Sequence, residues 1–157
     1  RNKELAKDNT KALDLVVSIL QSNNELQKYE NISLLLPTCP FRNYKHIREA
    51  FKILYNSKAD GVISVTEYEF PHNLNVKINN NFIKASTSLI TGNTRSQDQT
   101  KIYRPNGGIY LNKMRNFLKN KNFWVGRILP LFMTRLDSID IDEKIDLEYA
   151  NFIYKKR

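Results

Sequence analysis

Residues 32–66 read ISLLLPTCPFRNYKHIREAFKILYNSKADGVISVT. Two short apolar runs, Ile32–Leu36 and Gly61–Thr66, have the uninterrupted pattern that is typical of parallel strands covered on both faces. The apolar positions between them recur at helical spacing: Ile47, Ala50, Phe51 and Leu54. The segment His46–Asn56 is therefore predicted as a helix that joins two parallel strands through a right-handed crossover.

The position of a ligand site follows from this strand–helix–strand unit. In open α/β sheets, ligands bind beyond the carboxyl ends of the strands. The segments that leave the two predicted strands, Leu36–Arg42 and Glu67–Pro71, are therefore expected at the edge of the sheet where chemistry takes place.

Further elements flank this unit. An amphipathic helix is predicted at Thr10–Gln21, with Asn9 or Thr10 as its cap. Alternating apolar residues predict a hairpin at Asn73–Ser88, and its apolar face has no evident partner, which indicates an oligomer contact. A polar, turn-rich loop is expected at Thr91–Thr100.

The second half of the chain adds two strands and a helix. The segment Ile102–Leu111 predicts a strand with a tight turn at Asn106-Gly107-Gly108, where the glycines leave room for a ligand. A short helix or loop is expected at Asn116–Asn122, and an apolar strand at Arg127–Met133. A closing helix is predicted to carry an apolar face: Ile145, Tyr149, Phe152 and Ile153.

Bulk composition narrows the class of protein. A chain of 157 residues is long enough for one domain with a real core, and no apolar run approaches the length of about 20 residues that spans a bilayer. The single cysteine, Cys39, excludes an internal disulfide and favours a reducing cytoplasm. One cysteine and two histidines also argue against a zinc site.

The formal net charge of +9 indicates an anionic partner. The basic residues are scattered among asparagines, and neither a recognition helix nor an aromatic-basic signature of nucleic-acid binding stands out. A small substrate that carries phosphate is therefore favoured over a basic nucleic-acid-binding module.

Acidic residues are concentrated in one place. The ten residues 137–146 contain four aspartates and one glutamate. If Ser138–Asp142 runs extended, Asp140 and Asp142 point to one side and the neighbouring isoleucines to the other. Two such carboxylates suit Mg²⁺, which completes its shell with waters and phosphate oxygens. The alternative interpretation is that Asp142 caps the closing helix and the other acids are solvated.

Three segments in this order carry a resemblance to a known family. They are LLLPTCPFRNYKHIREAF (34–51), YRPNGGIY (103–110) and SIDIDEKIDLEYA (138–150), and the opening RNKELAKDNT (1–10) adds a fourth. Together they resemble the acylneuraminate cytidylyltransferases, the CMP-sialic acid synthetases. The similarity extends over essentially the whole chain.

The resemblance implies a fold and a reaction. The fold is a three-layer α/β/α nucleotidyltransferase sandwich, Rossmann-like, with residues 1–157 as a single domain and residues 70–102 as a dimerisation or lid insertion. The implied reaction joins CTP to an acidic nine-carbon sugar to give a CMP-sugar and pyrophosphate, with Mg²⁺ offsetting the phosphate charge. The implied protein is a cytoplasmic homodimer that takes part in cell-surface polysaccharide synthesis, with no role for nucleic acid or membrane.

The resemblance also assigns residues. Asp140 and Asp142 match the metal-binding, catalytic aspartates. The sugar-side positions are matched by Arg104, Asn106, Tyr110, Phe123, Trp124 and Arg95. Phe123 and Trp124 match an aromatic pair that reaches into the neighbouring subunit's sugar site. Arg1 and Ala12 are assigned to the nucleotide. Turn chemistry and core packing are the structural alternatives for the sugar-side residues.

The sequence departs from the family pattern in two respects. A phosphate-binding loop of the type Pro-Ala-Arg-x-x-Ser-Lys-Gly has no match, so we expect the chain to be an N-terminally truncated piece that binds CTP poorly by itself. Leu36 and Cys39 stand where glutamine and serine are usual, and Ser96 where a second arginine is usual. These changes favour a legionaminate- or pseudaminate-like acid as much as N-acetylneuraminate. The alternative function is an inactive fragment or homologue that keeps the fold for dimerisation.

Overall fold

The computed structural model describes residues 10–157, and of Ser96 the backbone alone. The helices and strands, in chain order, are α1 (Ala12–Ser22), β1 (Asn31–Leu34), α2 (Tyr44–Tyr55), β2 (Gly61–Glu67), β3 (Val76–Asn79), β4 (Phe82–Ala85), α3 (Thr87–Ile90), β5 (Tyr103–Lys113), α4 (Met114–Asn120), β6 (Ile128–Phe132) and α5 (Lys144–Lys156). Short 3₁₀ turns occur at Asn24–Lys28, His72–Leu74, Ser96–Asp98 and Leu136–Ser138. The chain is therefore a mixed α/β protein, as predicted.

The main sheet has four strands in the order β1-β5-β2-β6. β6 pairs parallel with β2, whereas β5 pairs antiparallel with both of its neighbours. β1 and β2 are therefore parallel to each other, as predicted, but they are not adjacent. The expectation that Ile32–Leu36 forms a wholly parallel strand is wrong, because β5 returns between the two strands of the crossover unit.

Helices cover both faces of this sheet. Val62 and Ile63 are neighbours on β2 and so point to opposite faces. Val62 packs in one apolar cluster with Leu54 of α2, and Ile63 packs in the other with Leu20 of α1 and Phe117 of α4. Leu54 is fully buried, and removing a side chain of this size from water contributes about 1.5–3 kcal/mol.

Two helix starts show how the sequence places these elements. α2 begins two residues earlier than predicted because Asn43 caps it, and His46 completes the capping box by accepting from the Asn43 N–H. α1 begins after Lys11, whose side chain makes no capping hydrogen bond, so the predicted cap Thr10 is wrong; the other predicted cap, Asn9, lies outside the described residues.

The closing helix also has a different cap from the one predicted. Glu143 and Asp146 form the capping box of α5, so Asp142 is not its cap. The predicted apolar face of α5 is not buried by residues 10–157: Ile145 is 64% exposed and Phe152 56%, while Ala150 is the buried position.

The hairpin prediction is confirmed. β3 and β4 form a separate two-stranded antiparallel sheet. Asn80 and Asn81 connect the strands with φ values of 47° and 64°. Both lie in the left-handed region, which asparagine tolerates better than most residues and which tight hairpin turns require. No helix among residues 10–157 has the length and apolar character to cross a membrane.

Candidate active site at the carboxyl edge of the sheet

The loop that follows β1 is fixed to the middle of β5. The backbone N–H of Leu36 donates to the carbonyl of Gly107 at 3.4 Å. The Arg42 guanidinium then donates to the carbonyls of Leu36, at 2.8 Å, and Gly108, at 3.1 Å. Arg42 is consequently used inside the protein, and it holds the loop 37–42 against the strand.

The sequence predicted a tight turn at Asn106-Gly107-Gly108. This prediction is wrong, because β5 continues through these residues. Gly107 adopts φ 72°, and the pairing with β2 shifts register between Ile63 and Val65. The glycines therefore form an irregularity within one long strand, of the bulge type that often accompanies active sites.

The acidic segment lies against the same loop. The N–H of Ile141 donates to the carbonyl of Thr38 at 2.9 Å, and the thiol of Cys39 donates to the carbonyl of Asp137 at 3.6 Å. Because β1 and β6 are parallel, the segments that follow them meet at one edge of the sheet; the sequence analysis expected the segment after β1 at this edge, but it did not place the acidic segment there.

Asp140 is the most informative residue of this edge. A side-chain Cβ built on Gly107 would lie 3.6 Å from Asp140 Oδ2, so the carboxylate contacts the irregular part of β5. Asp140 Oδ1 is buried and has no hydrogen-bond partner among residues 10–157. A buried carboxylate oxygen without a partner costs at least about 1–3 kcal/mol, so a group that satisfies it is expected.

The Asp140 carboxylate acts on its neighbours. Burial raises the pKa of the Tyr110 hydroxyl, and the Asp140 carboxylate raises it further. Burial also raises the pKa of the Cys39 thiol, an effect that Arg42 opposes and to which Asp140 adds. Cys39 is thus a buried, protonated thiol at neutral pH and not a nucleophile.

Asp142 has a different environment from Asp140. The extended segment predicted at Ser138–Asp142 is shorter than expected, since Ser138 closes a 3₁₀ turn and Asp142 lies in a bend. Asp142 is exposed, and its N–H donates to Asp146 Oδ2 at 3.1 Å. Neither Asp140 nor Asp142 is ion-paired with a cation of residues 10–157, so no lysine there blocks either carboxylate.

The donor set fits a hard cation. Residues 10–157 contain no group of three or more His, Cys, Asp or Glu side chains that could enclose a metal ion. Mg²⁺ does not need such a cage, because it commonly takes one or two carboxylates and completes its octahedron with waters and phosphate oxygens. The partnerless Oδ1 of Asp140 and the exposed carboxylate of Asp142 are the two carboxylates that could serve such an ion.

Asn106 is fully buried and has protein partners for its whole amide group. Asn106 Oδ1 accepts from Ser64 Oγ at 2.5 Å and from the Gly108 N–H at 3.1 Å. Asn106 Nδ2 donates to Ser138 Oγ at 2.7 Å and to Met133 Sδ at 3.3 Å. The structure therefore places this residue, which the resemblance assigned to the sugar, behind the surface of the site.

The three predicted aromatic residues come together. Tyr110 has ring-centroid distances of 6.1 Å to both Phe123 and Trp124. Phe123 is 4% exposed and packs on Phe117 with a centroid distance of 4.6 Å, so it belongs to the core of its own chain. Trp124 is 54% exposed and remains available to a ligand or a partner.

Among the remaining predicted residues, Arg104, Arg95 and Ala12 make no hydrogen bond or ion pair with Asp140 within residues 10–157. Arg104, on β5, donates weakly to the carbonyl of Pro105, and Arg95 pairs with Asp98 across 3.4 Å in the loop after α3. Ala12 is the exposed first residue of α1. Arg1 lies outside the described residues.

Sequence reasoning missed the residues that support the site. Arg42 ties two elements together, and Ser64 and Ser138 complete the hydrogen bonds of Asn106. Ser64 interrupts an otherwise apolar strand, and a polar side chain in such a run requires a buried partner. That signal could have identified Ser64, whereas its partner became visible only in the fold.

Comparison with known proteins identifies relatives of this chain, although no protein-family model matches it. The chain is 29% identical over 158 residues to N-acylneuraminate cytidylyltransferase of Escherichia coli O18:K1:H7, covering 100% of this chain and 37% of that protein. It is 27% identical over 158 residues to pseudaminic acid cytidylyltransferase of Campylobacter jejuni serotype O:23/36, covering 99% of this chain and 67% of that protein.

A third relative has another named product. The chain is 27% identical over 148 residues to CMP-N,N′-diacetyllegionaminic acid synthase of Legionella pneumophila, covering 93% of this chain and 63% of that protein. The resemblance inferred from the three sequence motifs is confirmed by these similarities, which extend over nearly the whole chain. The chain spans little more than a third of the length of the Escherichia coli relative.

Proposed function

We propose that this relative of N-acylneuraminate, pseudaminic acid and legionaminic acid activating enzymes is a cytidylyltransferase. The reaction proposed is attack by the anomeric hydroxyl of a nonulosonic acid on the α-phosphate of CTP. A new oxygen–phosphorus bond forms, and pyrophosphate leaves. The proposal rests on two independent supports: the relatives, and the carboxylate of Asp140 at the edge where nucleotides bind in sheets of this kind.

The partnerless Oδ1 of Asp140 is the structural observation that most supports this reaction, because it leaves a carboxylate oxygen free for a metal ion. Asp140 and Asp142 are proposed to hold Mg²⁺, which would offset the negative charge of the phosphates. The protein prepares Asp140 by holding the N–H of the next residue, Ile141, on the carbonyl of Thr38 and by leaving space above Gly107. A carboxylate that is fixed before the ligand arrives does not need to be reorganised during the reaction.

The aromatic group beside Asp140 is proposed as the sugar side of the site. Trp124 offers an exposed ring, Tyr110 a half-buried one, and Phe123 supports both from the core. Arg104 and Arg95 are proposed to reach the sugar carboxylate, which arginine recognises through paired hydrogen bonds. Arg95 must first exchange its exposed partner Asp98, and an exposed ion pair of this kind is weak.

The coverage of the sheet on both faces by helices supports a three-layer nucleotidyltransferase architecture as part of the same proposal. Arg1 and Ala12 are proposed to contact the nucleotide. A cytoplasmic location is also proposed, which the buried free thiol of Cys39 supports.

A homodimer is the proposed assembly, with the hairpin in residues 70–102 as the contact. Register places Val76, Ile78, Ile83 and Ala85 on one face of the hairpin. Ile78 is 67% exposed and Ile83 71%, and an isolated two-stranded sheet is at best marginally stable in water. A second copy of the chain would cover this face.

The function is tested by incubating the product of the complete gene with CTP, Mg²⁺ and each of three acids: N-acetylneuraminate, pseudaminate and legionaminate. We expect pyrophosphate and a CMP-sugar from at least one acid. Tight CTP binding without any product would instead favour an inactive homologue that keeps the fold.

A further inference from the structure

We infer that Asn106 is a positioning residue, which fixes the Asp140 carboxylate through Ser138, rather than a residue that contacts the sugar. The inference rests on the proposed function, because it concerns how the same site is held in place. It differs from the role that the resemblance assigns to Asn106.

Asn106 is buried and its hydrogen-bonding groups are already occupied. Asn106 is 0% exposed, and Ser64 and Ser138 on either side of it are each 1% exposed. An asparagine amide has one acceptor and one donor end, and here each end has two partners within the protein. A sugar hydroxyl could reach this amide only after one of these bonds was broken.

The hydrogen bonds of Ser138 run in a fixed direction. Ser138 Oγ donates to the carbonyl of Thr134 at 2.7 Å, so its proton is already used. The Ser138 oxygen must therefore accept, and Asn106 Nδ2 is the donor that it faces at 2.7 Å. An aspartate or a leucine at position 106 could not make this donation.

Ser138 lies close to Asp140 in the chain. Ser138 ends the 3₁₀ turn after β6 and lies two residues before Asp140. On the other side of Asp140, Ile141 is bonded to Thr38. The backbone on both sides of Asp140 is therefore held in place: Asn106 of β5 binds Ser138, and Thr38 in the loop after β1 binds Ile141.

Gly107 makes this arrangement specific to Asp140. The residue next to Asn106 has no side chain, and Asp140 Oδ2 approaches the position where a Cβ would be. One short stretch of β5 therefore both anchors the acidic segment and leaves space for its carboxylate. Supporting residues of this kind commonly change metal affinity about 10–100-fold when they are removed.

The chain provides a matched control for this test. Asn112 lies on the same strand, is also 0% exposed, and also uses both ends of its amide. Its Nδ2 donates to the carbonyl of Phe123 at 3.3 Å, and its Oδ1 accepts from Asn116 at 2.8 Å. Asn112→Leu therefore creates the same kind of buried defect without touching the acidic segment.

The experiment compares Asn106→Leu, Ser138→Ala and Asn112→Leu in the product of the complete gene. Two quantities are measured for each: the affinity for Mn²⁺ with CTP, by electron paramagnetic resonance, and the hydrogen-exchange rate of the Ile141 amide. We expect Asn106→Leu and Ser138→Ala to weaken Mn²⁺ binding about tenfold or more and to speed the exchange of Ile141 by a similar factor. The double variant Asn106→Leu/Ser138→Ala should lose no more Mn²⁺ affinity than the more severe of its two single variants.

Four outcomes are informative. Wild-type affinity in Asn106→Leu, or an equal loss in Asn112→Leu, would overturn the inference. Unchanged exchange at Ile141 in both site variants would do the same. If the wild-type protein does not bind Mn²⁺ with CTP, the proposed function fails, and the exchange rates alone decide whether Asn106 positions the acidic segment.

Discussion

At the scale of single residues, the acidic segment divides its carboxylates between two tasks. Asp137 and Asp146 are used structurally: Thr134 and Arg157 donate to Asp137, and the N–H groups of Asp142 and Glu143 donate to Asp146. Asp140 and Asp142 receive no such side-chain contacts within residues 10–157. The assignment of Asp140 and Asp142 to a metal ion stays a prediction, and the sequence did not reveal that Oδ1 of Asp140 is buried while Asp142 is exposed, because that difference depends on how the chain packs around Asp140.

Asp137 predicts a measurable loss of stability in acid. Burial by itself would raise the pKa of Asp137, but the hydrogen bonds from Thr134 and Arg157, together with the charges of Arg157 and His46, lower it overall. The unfolded chain, with a pKa of about 3.9, therefore takes up the proton first as the pH falls. Stability from this group is complete above that pH and is lost as the pH falls through the lower folded-state pKa.

The test is Asp137→Asn, with urea unfolding measured between pH 7 and pH 2. We expect the variant to lose about 1–3 kcal/mol at pH 7, and the difference from wild type to shrink below about pH 4. Asp98→Asn, which removes an exposed ion pair with Arg95, should change stability by less than about 1 kcal/mol. A difference from wild type that is constant across the whole pH range would contradict the argument.

At the scale of elements, apolar spacing predicted most helices and strands but not their neighbours. The core positions of α2 follow from the 3.6-residue period, and Ala50 and Leu54 are indeed buried. Nothing in a run such as Ile32–Leu36 encodes which strand pairs with it, so the insertion of β5 between β1 and β2 was not predictable. The exposed apolar face of α5 shows the same limit, since periodicity predicts a face but not what covers it.

The irregular part of β5 gives a prediction at this scale. Gly107 and Gly92 have similar left-handed φ values, 72° and 75°. An alanine Cβ at Gly107 would meet Leu36 at 3.3 Å and Asp140 at 3.6 Å, whereas one at Gly92 would have no neighbour within 4 Å. Both Gly→Ala variants should lose about 1–2 kcal/mol from backbone strain.

Only Gly107→Ala should also lose Mn²⁺ affinity, because only there does the new methyl group press on Leu36 and occupy the space beside the Asp140 carboxylate. Urea unfolding measures the strain that the two variants share, and Mn²⁺ titration in the presence of CTP measures the specific effect. Equal Mn²⁺ affinities in the two variants would show that Gly107 has no special relation to the site.

At the scale of the whole molecule, the exposed apolar face of the hairpin is either a dimer contact or a surface that stays in water. If the hairpin is a dimer contact, Ile83→Glu on its apolar face should shift the protein to a monomer, because a charge buried in such an interface is not compensated. Lys84→Glu on the opposite face of the same strand should leave the dimer unchanged. Light scattering after size-exclusion chromatography measures both, and a wild-type monomer, or a dimer that Ile83→Glu leaves intact, would refute the proposed assembly.

Asp140 is the proposed ligand for the metal ion that accompanies CTP. The most direct measurement is the rate of CMP-sugar formation by the product of the complete gene, compared between wild type and Asp140→Asn at saturating Mg²⁺. We expect the variant to fold normally and to lose at least about 100-fold in rate, with a weaker response to Mg²⁺. An Asp140→Asn protein that forms the CMP-sugar at the wild-type rate would contradict the account.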